Sequence, residues 1–238
     1  MKRRRTSPSI QPGSTAFAGL RYPPEVILLA VRWYLRYGLS YRDVEELLTE
    51  RGIEVDHVTV YRWVQTFTPE VIDAARPARH PTGDRWFVDE TYVKVAGRCT
   101  YLYRAIDQHG QVIDVLVSAR RDGAAARALV TRTLRFGPAP VEVTTDRASV
   151  YPRVLDDPVP AARHVLEQDT NNVVEADQGR LKAPLRPMRG VKTISSPRTI
   201  SAGHAFVQNL RRGHHELTTD VPAQDRVRVA FTALARGL

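Results

Sequence analysis

The strongest constraint on the fold is a change of hydrophobic period across the Pro-, Arg- and Gly-rich stretch Arg76–Gly83. Before it, apolar residues recur at helical spacing; after it, β-branched and aromatic residues alternate as strands do. Pro23-Pro24 open a helix that stops at Gly38, with Val26, Leu29, Ala30, Trp33 and Leu35 expected inward. Ser40-Tyr41-Arg42-Asp43 is a capping box, followed by Val44, Leu47 and Leu48 as an apolar face and by Gly52 as a stop. A third helix starts at Asp56, where Val60, Trp63, Val64 and Phe67 face the core and Thr59, Arg62 and Thr66 lie opposite. Two short helices joined by a tight Gly-containing turn, the second with an Arg-bearing polar face, form the helix-turn-helix pattern. Thr59, Arg62 and Thr66 are therefore the expected DNA contacts; the bland alternative is a three-helix bundle packed on the next domain.

Beyond the linker, Trp86–Val95, Thr100–Asp107 and Val112–Ala119 read as a three-strand meander separated by Gly97-Arg98 and Gln108-His109-Gly110. Asp122–Phe136 reads as an Ala-rich helix, Val141–Thr145 and Arg163–Glu167 as short strands, and 171–183 as a helix. This order makes an α/β fold, a mixed five-stranded sheet with helices on both faces, of ribonuclease H type, preceded by an all-α helix-turn-helix domain. The expected division is a basic tail 1–20, a DNA-binding domain 21–75, a linker 76–84, a catalytic domain 85–190 and C-terminal helices 191–238.

Charge narrows the partners. Lys+Arg number 35 against 26 Asp+Glu, a net +9, and the chain starts with Lys2-Arg3-Arg4-Arg5 with no apolar run behind it. This reads as a basic arm rather than a signal peptide. With one cysteine, no membrane-spanning stretch and a basic balance, the expectation is an intracellular, cytoplasmic protein whose partner is nucleic acid. Cys99 is expected to pack inside, Asp107 to form a turn, and His214-His215 to sit at a solvated helix end.

Three acids can converge on such a sheet. Asp89 and Glu90 lie mid-strand in Trp86–Lys94, where a charge is costly unless something compensates it, and they point to opposite faces; alternation alone does not say which one serves. Asp146 follows a strand at its C-terminal end, where ligand-facing residues collect in open α/β sheets. In Asn171–Lys182, at about 100° per residue, Asn172, Glu175, Gly179 and Lys182 share a helix face while Asp177 points elsewhere. Hard oxygen ligands of this kind suit two Mg²⁺ or Mn²⁺ ions performing phosphoryl transfer. In that arrangement Asp89 bridges both ions, Asp146 completes one, Glu175 the other, and Lys182 sits near a phosphate.

With these residues in hand, the chain resembles the D-D-E transposases of insertion sequence family six. The resemblance is carried by Leu39–Leu48 and Val58–Val64 in the helix-turn-helix, Trp86–Lys94, Tyr101–Asp107, Thr144-Thr145-Asp146, and Asn171–Lys182. It implies binding to terminal inverted repeats in double-stranded DNA, cleavage to 3′-hydroxyls, and joining to target DNA by direct transesterification. It also implies a homo-oligomer, at least a dimer, and Asp89 rather than Glu90 as the first acid; that no membrane is a partner is expected from the composition instead. One departure stands out: only 28 residues separate Asp146 from Glu175, fewer than is usual in the family, and the shortening falls where the last strand is expected. A transposase remnant that only binds DNA is the rival reading.

Overall fold

The computed structural model describes residues 16–95, 98–145, 151–166 and 195–238. Helix α1 (Pro24–Tyr37) starts with proline in its first turn and ends at Gly38, whose φ of 64° is the left-handed conformation that glycine adopts without a Cβ penalty. In α2 (Tyr41–Thr49) the capping box forms: Ser40 Oγ accepts the Asp43 N–H at 3.1 Å, and Asp43 Oδ2 accepts the Ser40 N–H at 2.8 Å. Asp56 caps α3 (His57–Ala75) through Oδ1, which accepts the N–H groups of Val58 and Thr59.

The buried face of α1 is wider than its spacing implied. Ile27, Leu28, Ala30, Val31, Tyr34 and Leu35 are fully buried, whereas Val26, Leu29 and Trp33 are only half-buried. The reason is tertiary: two helices from the other end of the chain, α6 (Ser195–Arg212) and α7 (Arg226–Gly237), also pack on α1. Ile200, Phe206, Val207 and Leu210 of α6 and Val227, Ala230, Phe231 and Leu234 of α7 join the core of the first three helices. Close approach is made possible at Gly203, where a Cβ would lie 2.6 Å from a Leu35 methyl and 2.8 Å from the Thr68 methyl.

The meander forms as β1 (Arg85–Val95), β2 (Arg98–Asp107) and β3 (Val112–Ser118), all antiparallel. After α4 (Gly123–Thr133), capped by Asp122, β4 (Glu142–Thr145) returns parallel to β1. A short α5 (Tyr151–Leu155) leads to β5 (Arg163–Leu166), parallel to β4. The sheet order β3-β2-β1-β4-β5 is that of a ribonuclease H-like fold. One face, with Trp86, Val88, Tyr103, Ala105 and Val143, packs on Ala126, Leu129 and Val130 of α4. On the other face Phe87, Ile106 and Val112 meet Ala205 of α6, so α6 belongs to the helical core and to the sheet at once.

The stretch expected as a linker is tied down. Arg79 donates to Gln111 Oε1 and to the carbonyls of Val112 and Ile113, and His80 N–H donates to the His214 carbonyl. Asp107 forms its turn, accepting from His109 and Gln111 N–H, and also accepts the Gly83 N–H at 2.9 Å. Cys99, expected inside, is exposed at the start of β2. His215, expected in solvent, is buried because α6 folds back and sets it edge-on to Phe206 at 5.5 Å. None of the helices among the described residues is long and apolar enough to cross a membrane. The expected helix 171–183 lies outside the described residues.

Two buried histidines make stability depend on pH. Desolvation, opposed by a weaker hydrogen bond to the Leu35 backbone, pushes His204 down to about 4. Desolvation, aided by Arg79, His80 and His214, does the same for His215, also to about 4. Both rings are neutral in the fold, and unfolded histidine titrates near pH ~6.5. On acidification the unfolded chain therefore binds protons first, so this stabilisation is complete above about 6.5 and is lost progressively down to about 4. The expected size is on the order of 3 kcal/mol per histidine. Melting temperatures measured from pH 7.5 to 4.5 should fall, and should fall less steeply in the double variant His204→Gln/His215→Gln; equal slopes would remove these rings as the cause.

Candidate active site and nucleic-acid interface

Asp89 is the fifth residue of β1 and sits on the α6 face of the sheet, 8% exposed. The N–H of Glu90 donates to its Oδ1 at 2.7 Å. Directly across the ladder is Arg104 of β2, 1% exposed, whose Nη2 donates to Gln208 Oε1 of α6 at 3.4 Å. Opposite charges facing each other on one side of an antiparallel pair stabilise the pairing, and Arg104 lessens the cost of a buried carboxylate. Glu90 lies on the other face. Its Oε1 accepts from Nε and Nη2 of Arg121 at 2.7 and 2.5 Å, so its charge is compensated within the protein.

The parallel register then decides what adjoins Asp89. Thr145, the last residue of β4, pairs with Val88, the residue before Asp89. The end of β4 is fixed from its far side by the Thr145 hydroxyl, 2.8 Å from His164 Nε2 on β5. Burial holds the His164 imidazole below its ordinary range, with Asp156 opposing weakly. Asp146, Glu175 and Lys182 lie outside the described residues.

On α3, Arg62 and Thr66 are exposed, as a reading face requires, but Thr59 is half-buried and its hydroxyl donates to Asp56 Oδ2 at 2.7 Å. That bond is the first cause of the lowered Asp56 carboxyl. The exposed stripe at helical spacing is instead Val58, Arg62 and Thr66, with Val58 44% exposed. Beside it, His57 opens the helix with its N–H and Nδ1 at 3.1 and 3.0 Å from Glu45 Oε2 of α2. Apolar residues are ordinarily assigned to the core, so the exposure of Val58 was not expected; its i−4 spacing from Arg62 is what sets it on this stripe.

Residues 83–214, more than half of the chain, match a family model described as a DDE domain. A transposase for the insertion sequence-like element IS431mec of Staphylococcus aureus is 35% identical over 181 residues, covering 74% of this chain and 81% of that protein. The transposase for insertion sequence element IS257 in transposon Tn4003, also from Staphylococcus aureus, is 34% identical over the same shares. Among solved structures, the HTLV-2 integrase catalytic core domain in complex with magnesium is 13% identical, with a TM-score of 0.36 over 63% of this chain and 84% of that one. The family model and the extent of the transposase matches, which reach well past the sheet, establish that this chain belongs to the DDE transposases of insertion sequence family six.

Proposed function

We propose that the protein binds the terminal inverted repeats of its element, cleaves DNA ends to 3′-hydroxyls and joins them to target DNA by transesterification. The observation that carries this reading is the pairing of Thr145 with Val88, which brings the end of β4 level with the buried carboxylate of Asp89. Asp89 would hold divalent metal together with Asp146 and Glu175; a carboxylate in a buried strand position, with its neighbour Glu90 already compensated by Arg121, suits Mg²⁺ or Mn²⁺. Two such ions, when bound, activate the attacking oxygen and stabilise the leaving one. Lys182 is assigned to a backbone phosphate. Synapsis of two DNA ends calls for at least a dimer, in the cytoplasm where the element resides.

The short interval between Asp146 and Glu175 favours the DNA-binding remnant, but two facts weigh against it. The fifth strand is present, paired along its length with β4. Eight residues then separate Leu166 from Glu175. Fully extended, that connection spans up to about 30 Å, while β5 is two strand spacings, roughly 10 Å, from β1. Reach is therefore not the limit. The direct test is incubation of purified protein with Mg²⁺ and a duplex carrying the terminal repeat. Nicking and joining support the enzyme; binding without either reaction leaves the remnant.

Reading of sequence is assigned to Val58, Arg62 and Thr66, with Thr59 retained as the residue that steadies the helix start. Arg62→Ala should weaken terminal-repeat binding and flatten the preference over random DNA by about 1–3 kcal/mol. An apolar side chain on this face contacts a thymine methyl group. Replacing thymine by deoxyuridine in the repeat should then weaken wild-type binding at one position and leave Val58→Ala unaffected there. If both proteins respond alike at every thymine, Val58 does not read the methyl.

A further inference from the structure

A second constellation lies beside the start of β3, the edge strand that β2 separates from β1 and Asp89. Arg76, Arg79, Arg132 and Arg135 line one opening of about 500 Å³ with His80 and Phe136. The first two come from the turn after α3, the others from the end of α4 and the turn that follows it. Among the described residues, two of these cations have an ion-pair partner: Arg76 pairs with Asp73, and Arg132 Nη2 with Asp114 Oδ1 at 3.0 Å. Arg79 is held by Gln111 and two carbonyls rather than by an ion pair, with the Asp114 and Asp107 carboxylates close enough to act on its charge. Arg135 is exposed and has no ion pair among the described residues. Arg76 and Arg79 both stand over the Phe136 ring, at 5.8 and 5.2 Å from its centre, so like charges are gathered rather than dispersed.

Behind the opening a cavity of about 260 Å³ continues between α3, α6 and the β3 edge, sharing Arg76, Arg79, Arg132 and Phe136 with it. Its walls are largely apolar, from Ile72, Val115, Ala202 and Phe206. Three of its other residues carry buried polar atoms without a hydrogen-bond partner among the described residues: Thr68 Oγ1, Asp114 Oδ2 and both ring nitrogens of His215. Such atoms are costly unless something satisfies them. A cationic mouth over a mostly apolar slot with unsatisfied polar groups matches the chemistry of a nucleotide, an anionic phosphate joined to a flat body with polar edges.

We propose that this opening binds a phosphate of a nucleotide unit, with the attached sugar or base entering the cavity behind it. The site is separate from the α3 reading face and from Asp89, and it depends on the transposase reading only for the source of the phosphate. That source is either the backbone of DNA laid across this end of the sheet or a free mononucleotide.

The test uses the full-length chain, the double variant Arg76→Ala/Arg135→Ala, which leaves Arg79 and the Arg132–Asp114 pair in place, and Arg62→Ala as a control. Affinity for a random-sequence duplex is measured against salt, and melting temperature with and without deoxyadenosine monophosphate. The double variant is expected to bind duplex roughly tenfold more weakly at 0.1 M salt, with the log–log salt slope reduced by about one, and with an unchanged melting temperature in the absence of ligand. Arg62→Ala should reduce only the preference for the terminal repeat. A weakened duplex with no response to mononucleotide assigns the site to the DNA backbone. Stabilisation of the wild type by mononucleotide, absent in the variant, assigns it to free nucleotide as well. Variant and wild type behaving alike toward both ligands would overturn the proposal. A wild type that binds no duplex at all would sink the transposase reading instead, and the mononucleotide comparison alone would then decide this site.

Discussion

Asp89→Asn is expected to lower strand cleavage and joining by at least about 10³-fold in Mg²⁺ while leaving terminal-repeat binding within a few-fold of wild type. The substitution is isosteric, keeps a side chain opposite Arg104, and removes only the negative charge that a divalent ion needs. Glu90→Gln is the matched control one residue away: its carboxylate is engaged by Arg121 on the opposite face, so the reaction should persist. Oligonucleotide cleavage and gel-shift binding measured on the same preparations separate the two effects. Equal loss in both variants, or none in Asp89→Asn, would withdraw Asp89 from the chemistry.

The second large effect is on stability, and it acts across the length of the chain. Phe231 of α7 is fully buried and touches the same core as α1 and α3, with its ring 5.9 Å from that of Phe206 in α6. Phe231→Ala should cost about 3–5 kcal/mol, the transfer of the ring plus the cavity it leaves. Because α1–α3 share this core, terminal-repeat binding should be lost on warming together with the α7 contacts. Thermal unfolding and amide exchange on α1–α3 read this directly. Unchanged protection of those amides in the variant would mean that α1–α3 stand without the C-terminal helices.

Much of the fold was legible along the chain because its signals are local. The Ser40–Asp43 box, the Asp56 cap, Gly38 as a stop and the alternation in Trp86–Val95 each depend on neighbours a few residues away, and each forms as read. The order of elements left few ways to arrange a five-stranded mixed sheet. What misled were inferences about surroundings. Cys99, His215 and the buried side of α1 were assigned from residue type and spacing, but exposure depends on what folds back from elsewhere. Thr59 shares a helix face with Arg62 and Thr66 by spacing, and spacing cannot show that its hydroxyl is held by Asp56.

The candidate site divides in the same way. A carboxylate placed mid-strand, the family motifs around it and the basic balance are properties of the chain alone, and they carry the assignment to a transposase family. Tertiary structure supplied what depends on register and on distant packing. It set Arg104 across from Asp89, gave Glu90 its own cation, aligned the end of β4 with Val88, and brought α6 and α7 into the core of the first three helices. Local backbone preferences are written within a few residues of sequence. Charge compensation and burial are settled only when segments far apart in the chain come within a few ångströms of one another.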